Sequence, residues 1–222
     1  MSIFSKVAMP RPQHNTFDLS HSRKFSMSIG KITPTCVMEC VPGDSFNIKT
    51  NQLLRFAPLI APVMHQSSMY CHFFFVPNRI LWDSWEEYIS GGEDAADPAY
   101  VPPVAPYFTN LAHGNSQLPD YLGLPTVSGG LGASTKISCL PFMAYWKIFN
   151  EYYRDQNLVD KLVDKAVDGS NSKPAYWYEL QNRAWQHDYF TSALPWTQKG
   201  PEATIPLGTT APLIKTWVYL AR

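Results

Sequence analysis

Met69-Tyr70-Cys71-His72-Phe73-Phe74-Phe75-Val76-Pro77-Asn78-Arg79-Ile80-Leu81-Trp82-Asp83-Ser84-Trp85-Glu86-Glu87-Tyr88-Ile89-Ser90-Gly91-Gly92 decides the fold, because an apolar strand runs directly into a short aromatic helix. In an extended chain Met69, Cys71, Phe73 and Phe75 share one face and Tyr70, His72, Phe74 and Val76 the other, so both faces call for cover. Pro77 lacks the amide needed to continue a ladder. Asn78 is a helix-capping residue type, and Leu81, Trp85 and Tyr88 recur at i, i+4 and i+7, with Trp82 and Ile89 widening the stripe. Gly91 suits the left-handed conformation that ends helices. The reading is one helix over 79–90 with Glu86 and Glu87 on its wet side.

Upstream, Phe25, Met27 and Ile29 alternate with polar residues, and Phe46 and Ile48 do the same after the turn-forming Pro42-Gly43-Asp44. These runs predict short antiparallel strands, with Pro58 and Pro62 suited to an edge or an irregular crossing. Downstream, 91–138 reads as a long excursion rich in proline, glycine and small residues. A second helix is expected to begin with Pro141 in its first turn and to carry Phe142, Tyr145, Trp146, Phe149, Tyr152 and Tyr153 on a buried face. A further helical stretch is expected around Leu180 to Trp185. Residues 203–220 return to strand-like alternation, with Leu213, Lys215, Trp217 and Tyr219 on one face.

Composition agrees with a folded, mainly β protein: 45% of the 222 residues are hydrophobic and 14% aromatic, which excludes general disorder. The 19 prolines and 12 glycines lie scattered among short apolar runs, which excludes a helical bundle. Formal net charge is +0, so no overall attraction to nucleic acid or membrane is expected. The balance is uneven, however. Lys6, Arg11, Arg23, Lys24 and Lys31 face only Asp18 within 1–31, whereas 80–135 holds acids and no lysine or arginine. A solvated arm and a solvated acidic loop are the simplest account of that asymmetry. No signal-peptide core or membrane-length apolar run occurs, and reduced thiols in a cytoplasm are expected.

Catalytic and metal chemistry finds no support. Cys36 and Cys40, if extended, stand roughly 13 Å apart, too far for a disulfide or a shared tetrahedral zinc. Cys71 and His72 point to opposite strand faces, and Glu86 and Glu87 are neighbours that do not face each other. The glycine-rich stretch around Gly129 to Lys136 lacks the ending of a phosphate loop. No enzyme activity, cofactor or metal is expected. The aromatics interleaved with Lys147 and Arg154 have the composition of a base-stacking surface, but helical spacing alone accounts for them as core.

Six blocks, in order, carry a resemblance to a family: Phe17 to His21, Val41 to Phe46, Leu54 to Val63, Phe74 to Trp82, Asn150 to Leu158, and Asp188 to Trp196. Together they resemble the major capsid proteins of the Microviridae, specifically the gokushovirus-like branch of small single-stranded DNA phages. The signature positions are Pro42, Gly43, Asp44, Phe75, Pro77, Asn78, Trp82, Trp85, Tyr152, Arg154, Pro195 and Trp196. The resemblance implies a viral jelly roll, an antiparallel β-sandwich of about eight strands with long loop and helical insertions. Family members are longer, so this chain is expected to be an N-terminal portion supplying about half of those strands.

On that reading the chain divides into an N-terminal arm (1–22), jelly-roll strands (23–78), a helical and loop insertion (79–202) and a return strand (203–222). The implied function is a structural one, self-assembly into a small icosahedral shell enclosing single-stranded DNA. The implied partners are further copies of the chain, the genome, scaffolding and minor virion proteins, and a host surface receptor met by an exposed excursion, with no membrane insertion. The implied location is the virion capsid, assembled in the host cytoplasm. Arg11, Arg23, Lys24 and Lys31 are the candidate DNA contacts. The alternative is a carbohydrate-binding jelly-roll module with Trp82, Trp85 and Trp196 as its aromatic platform. A metal-dependent cupin-type enzyme would need a histidine and carboxylate set that the sequence does not supply.

Overall fold

The computed structural model describes residues 15–92, 97–126, 130–132, 134–186, 188–190 and 192. The expected return strand at 203–220, together with Arg11, Pro195 and Trp196, lies outside them.

A packed body is built from α1 (Asn78–Leu81), α2 (Trp85–Ser90), β1 (Tyr107–Phe108), α3 (Leu118–Tyr121), β2 (Ile137–Ser138) and α4 (Leu140–Ile148), which continues as a π-helix over Phe149–Tyr153. The two short strands pair antiparallel, Tyr107 opposite Ser138 and Phe108 opposite Ile137. α4 is the centre of the core. Its Phe142 and Trp146 meet Phe108, with the Phe108 and Phe142 rings edge to face at 5.5 Å, and Tyr176 caps Trp146 from the other side at 5.5 Å. Leu81, Trp82, Leu111, Leu118, Met143 and Trp177 belong to the same cluster. Pro141 sits in the first turn of α4, where its missing N–H costs nothing.

The excursion over 91–138 is therefore not a surface loop. Phe108, Leu111, Leu118 and Tyr121 are buried, and the stretch supplies β1, α3 and β2 to the body. Its apolar residues occupy pieces of two to four residues, too short to show a period.

Three further expectations are corrected. The helix over 79–90 is broken in two, because Trp82 adopts an extended backbone (φ −143°, ψ 116°) and forms a parallel bridge with Ala166, whose N–H donates to Leu81 O at 2.8 Å. Asn78 is the first residue of α1 and not its cap; extended Pro77 holds the cap position, with no side-chain bond to the helix. The stretch from Leu180 is extended and not helical. Ile32 N–H donates to Gln181 O and Arg183 N–H to Gly30 O, both at 2.9 Å, around the Lys31–Asn182 bridge. Gly91 does end α2, with φ +84° and its N–H on Glu87 O at 2.8 Å.

Residues 15–76 have a different character. They hold no helix or strand beyond the Lys31 bridge, and none of them is buried. The apolar residues of the stretch read as sheet material, among them Ile29, Leu53, Phe56, Ile60, Phe73 and Phe75, are exposed. The segment is an extended chain pinned to the body at a few points.

Candidate functional site

Three sets of contacts fix the arm, the junction and the end of α4, and they account for the residues singled out in the sequence. At the first, Arg23 donates from its two terminal nitrogens to Thr35 O and Tyr121 O, each at 2.6 Å. The Tyr121 hydroxyl donates back to Ser26 O at 2.5 Å, and Phe25 meets the Tyr121 ring edge on. Lys31 Nζ donates to Leu180 O at 2.9 Å. Two of the four candidate phosphate partners are thus engaged by backbone carbonyls, while Lys24 is exposed. Tyr145 completes the anchoring: its hydroxyl donates to Ile32 O at 2.9 Å and accepts from Gln181 N–H at 2.8 Å. Burial pushes that hydroxyl's pKa well up, so it stays protonated as the donor requires.

The Pro42-Gly43-Asp44 signature is a self-contained turn. Asp44 N–H donates to Val41 O at 3.1 Å, Val41 N–H donates to Asp44 Oδ2 at 3.0 Å, and Gly43 lies at φ +97°, where a side chain is strained. In the second set, Trp82 is 1% exposed and its indole N–H donates to Asp168 Oδ1 at 2.6 Å. Trp85 and Tyr88 pack beside it, Trp85 half-buried and Tyr88 exposed. A buried, hydrogen-bonded Trp82 offers no face to a sugar, which removes it from the glycan platform.

The third set follows α4. Asn150, 2% exposed, donates to Leu162 O at 2.8 Å and to Asp164 Oδ2 at 3.2 Å, and accepts from Leu162 N–H at 2.9 Å. Lys147 and Lys161 both stand 3.4 Å from Asp164. Burial works against the charged form of Asp164, but the Asn150 bond and the two lysines outweigh it and hold the carboxyl below its usual value. Arg154 donates to Val159 O at 2.6 Å, closing the turn after the helix. Asn150, Asp164, Asp168 and Tyr145 were not recognised as polar anchors in the sequence. The one available signal was the Asn150 to Leu158 block itself, a polar run directly after an apolar helix.

An exposed aromatic surface sits beside this clamp. Tyr152, expected in the core, is 60% exposed, because the π-helical turn rotates the last aromatics away from the face set by Phe142 and Trp146. Tyr153 is half-buried and shares a 2.7 Å hydrogen bond with His72 Nδ1. Burial, first, and then Tyr152 raise the Tyr153 hydroxyl's pKa, with Arg183 opposing them.

Among the described residues no group of three or more His, Cys, Asp or Glu is placed to hold a metal, and no helix is long and apolar enough to cross a membrane. Cys36 and Cys40 are free and exposed. Cys139 is buried, and burial pushes its thiol up to about 12, far from a reactive thiolate.

Comparison with known proteins gives a consistent answer. The family described as capsid protein (F protein) matches residues 5–218. Capsid protein VP1 of Chlamydia phage 1 is 36% identical over 221 residues, covering 91% of this chain and 36% of that protein. Capsid protein VP1 of Bdellovibrio phage phiMH2K is 35% identical, over 95% of this chain and 38% of its own length. Capsid protein VP1 of Spiroplasma virus 4 is 29% identical, over 96% and 39%. The chain thus spans somewhat more than a third of the length of these relatives.

Proposed function

Because the chain belongs to the capsid protein (F protein) family, we propose that it is a structural subunit of a small icosahedral phage shell that encloses a single-stranded DNA genome. The role is architectural and involves no reaction. The observation that carries it, beside the family itself, is the stretch before α1: residues 15–76 are extended, unpaired apart from one bridge, and leave most of their apolar side chains exposed, Ile32 and Val76 apart. Unpaired extended backbone with exposed apolar residues is a template for association, and patches of this kind mark protein interfaces.

We infer that these runs are jelly-roll strands whose neighbours come from the rest of a longer chain or from adjacent subunits. The body over 78–186 then serves as the insertion that the strands carry. Scaffolding and minor virion proteins, and a host receptor, belong to the same reading, as does assembly in the host cytoplasm. With Arg23 and Lys31 engaged by carbonyls, Lys24 is the described candidate left exposed for a phosphate contact. The glycan-binding alternative loses support with Trp82 in the core.

Sedimentation velocity on the 222-residue chain tests this directly. Concentration-dependent association is the expected result. A monodisperse monomer at all concentrations would count against an assembly role for the arm.

A further inference from the structure

The extended run at 69–76 and the π-helix at Phe149–Tyr153 together build an exposed row of rings that the packing of the core does not require. Tyr70, His72 and Phe74 occupy alternate positions of an extended run and so share a face. Their ring centroids repeat at 6.2 Å, Tyr70 to His72 and His72 to Phe74 alike. Tyr153 stacks on His72 at 5.9 Å with planes 16° apart, and Tyr152 meets His72 and Phe74 edge on at 5.4 and 5.2 Å. The guanidinium of Arg183 lies 5.6 Å above the Tyr70 ring. Tyr70 is 64% exposed, and Phe74 and Tyr152 are exposed as well.

We propose that this row is a stacking platform for the bases of a single-stranded nucleic acid, with Arg183 supplying a phosphate contact at its end. The inference rests on the enclosure of single-stranded DNA proposed above, and names where bases meet the protein. Three observations favour this occupant. Exposed aromatic faces beside a cation are what single-strand binders present, and stacking tolerates any base. The nearest carboxylate in the π-helix, Glu151, is held by Lys147 at 2.7 Å, so the cation beside the row is not opposed by an unpaired acid there. The π-helical turn that turns Tyr152 to the surface beside half-buried Tyr153 is also a rare feature, frequent at functional sites.

The test compares oligothymidylate with an abasic strand of the same length and backbone, each of about 16 nucleotides, by fluorescence anisotropy on the full chain. Tyr70→Ala and Tyr152→Ala are expected to weaken oligothymidylate binding by roughly 5- to 150-fold each, the range for losing one stacked base, and to leave abasic binding unchanged. Tyr70→Phe and Tyr152→Phe keep the rings and are expected to bind as the parent does. Arg183→Gln is expected to weaken both strands. Equal loss on both strands from the alanine variants, or no loss on either, would overturn the platform. So would alanine variants that fail to assemble into shells yet bind oligothymidylate normally, because the row would then be a subunit contact. If the parent forms no shells but shows the base-dependent loss, the platform stands and the shell reading fails.

Discussion

The indole N–H of Trp82 donates to a carboxylate oxygen of Asp168 at 2.6 Å, tying two residues 86 positions apart. One residue before Trp82 and two before Asp168 the backbone repeats the link, with Ala166 N–H on Leu81 O at 2.8 Å. Trp82 leaves the helical path to make these bonds, and its ring closes the core beneath α1 and α2. The junction at Trp82 is therefore a packing device, and its polar partner lies on a segment with no apolar pattern.

Trp82→Phe keeps most of the ring and removes the donor, so a loss of about 1–2 kcal/mol is expected. Trp82→Ala removes the ring as well, and about 3–5 kcal/mol is expected. Denaturant midpoints for the two variants separate the hydrogen bond from the packing. Trp85→Ala, half-buried, is expected to fall below Trp82→Ala.

Asn150→Ala deletes a buried side chain that makes three hydrogen bonds to Leu162 and Asp164. A cost of about 1–3 kcal/mol is expected, because the Leu162 groups lose their partner inside the protein. Faster amide exchange at Leu162, with little change in α3, would locate the effect.

Asp164 gives a signed pH dependence. Its folded pKa lies below the usual 3.8, so its contribution is present above the unfolded value and is lost as pH falls through the lower folded one. Glu151, held down by Lys147, acts in the same direction. Thermal midpoints are therefore expected to drop as the pH falls below about 5, and the drop is expected to be shallower in Asp164→Asn.

Tyr145→Phe removes the hydroxyl that joins Ile32 to Gln181. The arm is expected to loosen at residues 30–32, read as faster proteolysis or amide exchange there. The α4 core is expected to stay intact, since the ring is kept.

Much of this was legible in the sequence where a period existed. The spacing of Phe142, Tyr145, Trp146 and Phe149 gave α4, Gly91 gave the end of α2, and Pro42-Gly43 gave a turn that the structure closes around Asp44. Six ordered blocks indicated the family that the comparisons show. The break at Trp82 was hidden because a helix pattern fits residues 78–90 on both sides of it. Phe108, Leu111 and Leu118 were hidden because their elements are too short to repeat. The Asn150–Asp164 clamp and the Trp82–Asp168 bond were hidden because polar partners brought together by the fold leave no spacing rule. The rotation that exposes Tyr152 follows from a π-helical turn, which apolar periodicity does not encode.

The most direct measurement of the central claim is electron microscopy of the protein expressed from its complete reading frame. Closed shells of uniform diameter are the expected result. A homogeneous population of unassembled protein, under conditions where it is folded, would contradict the account.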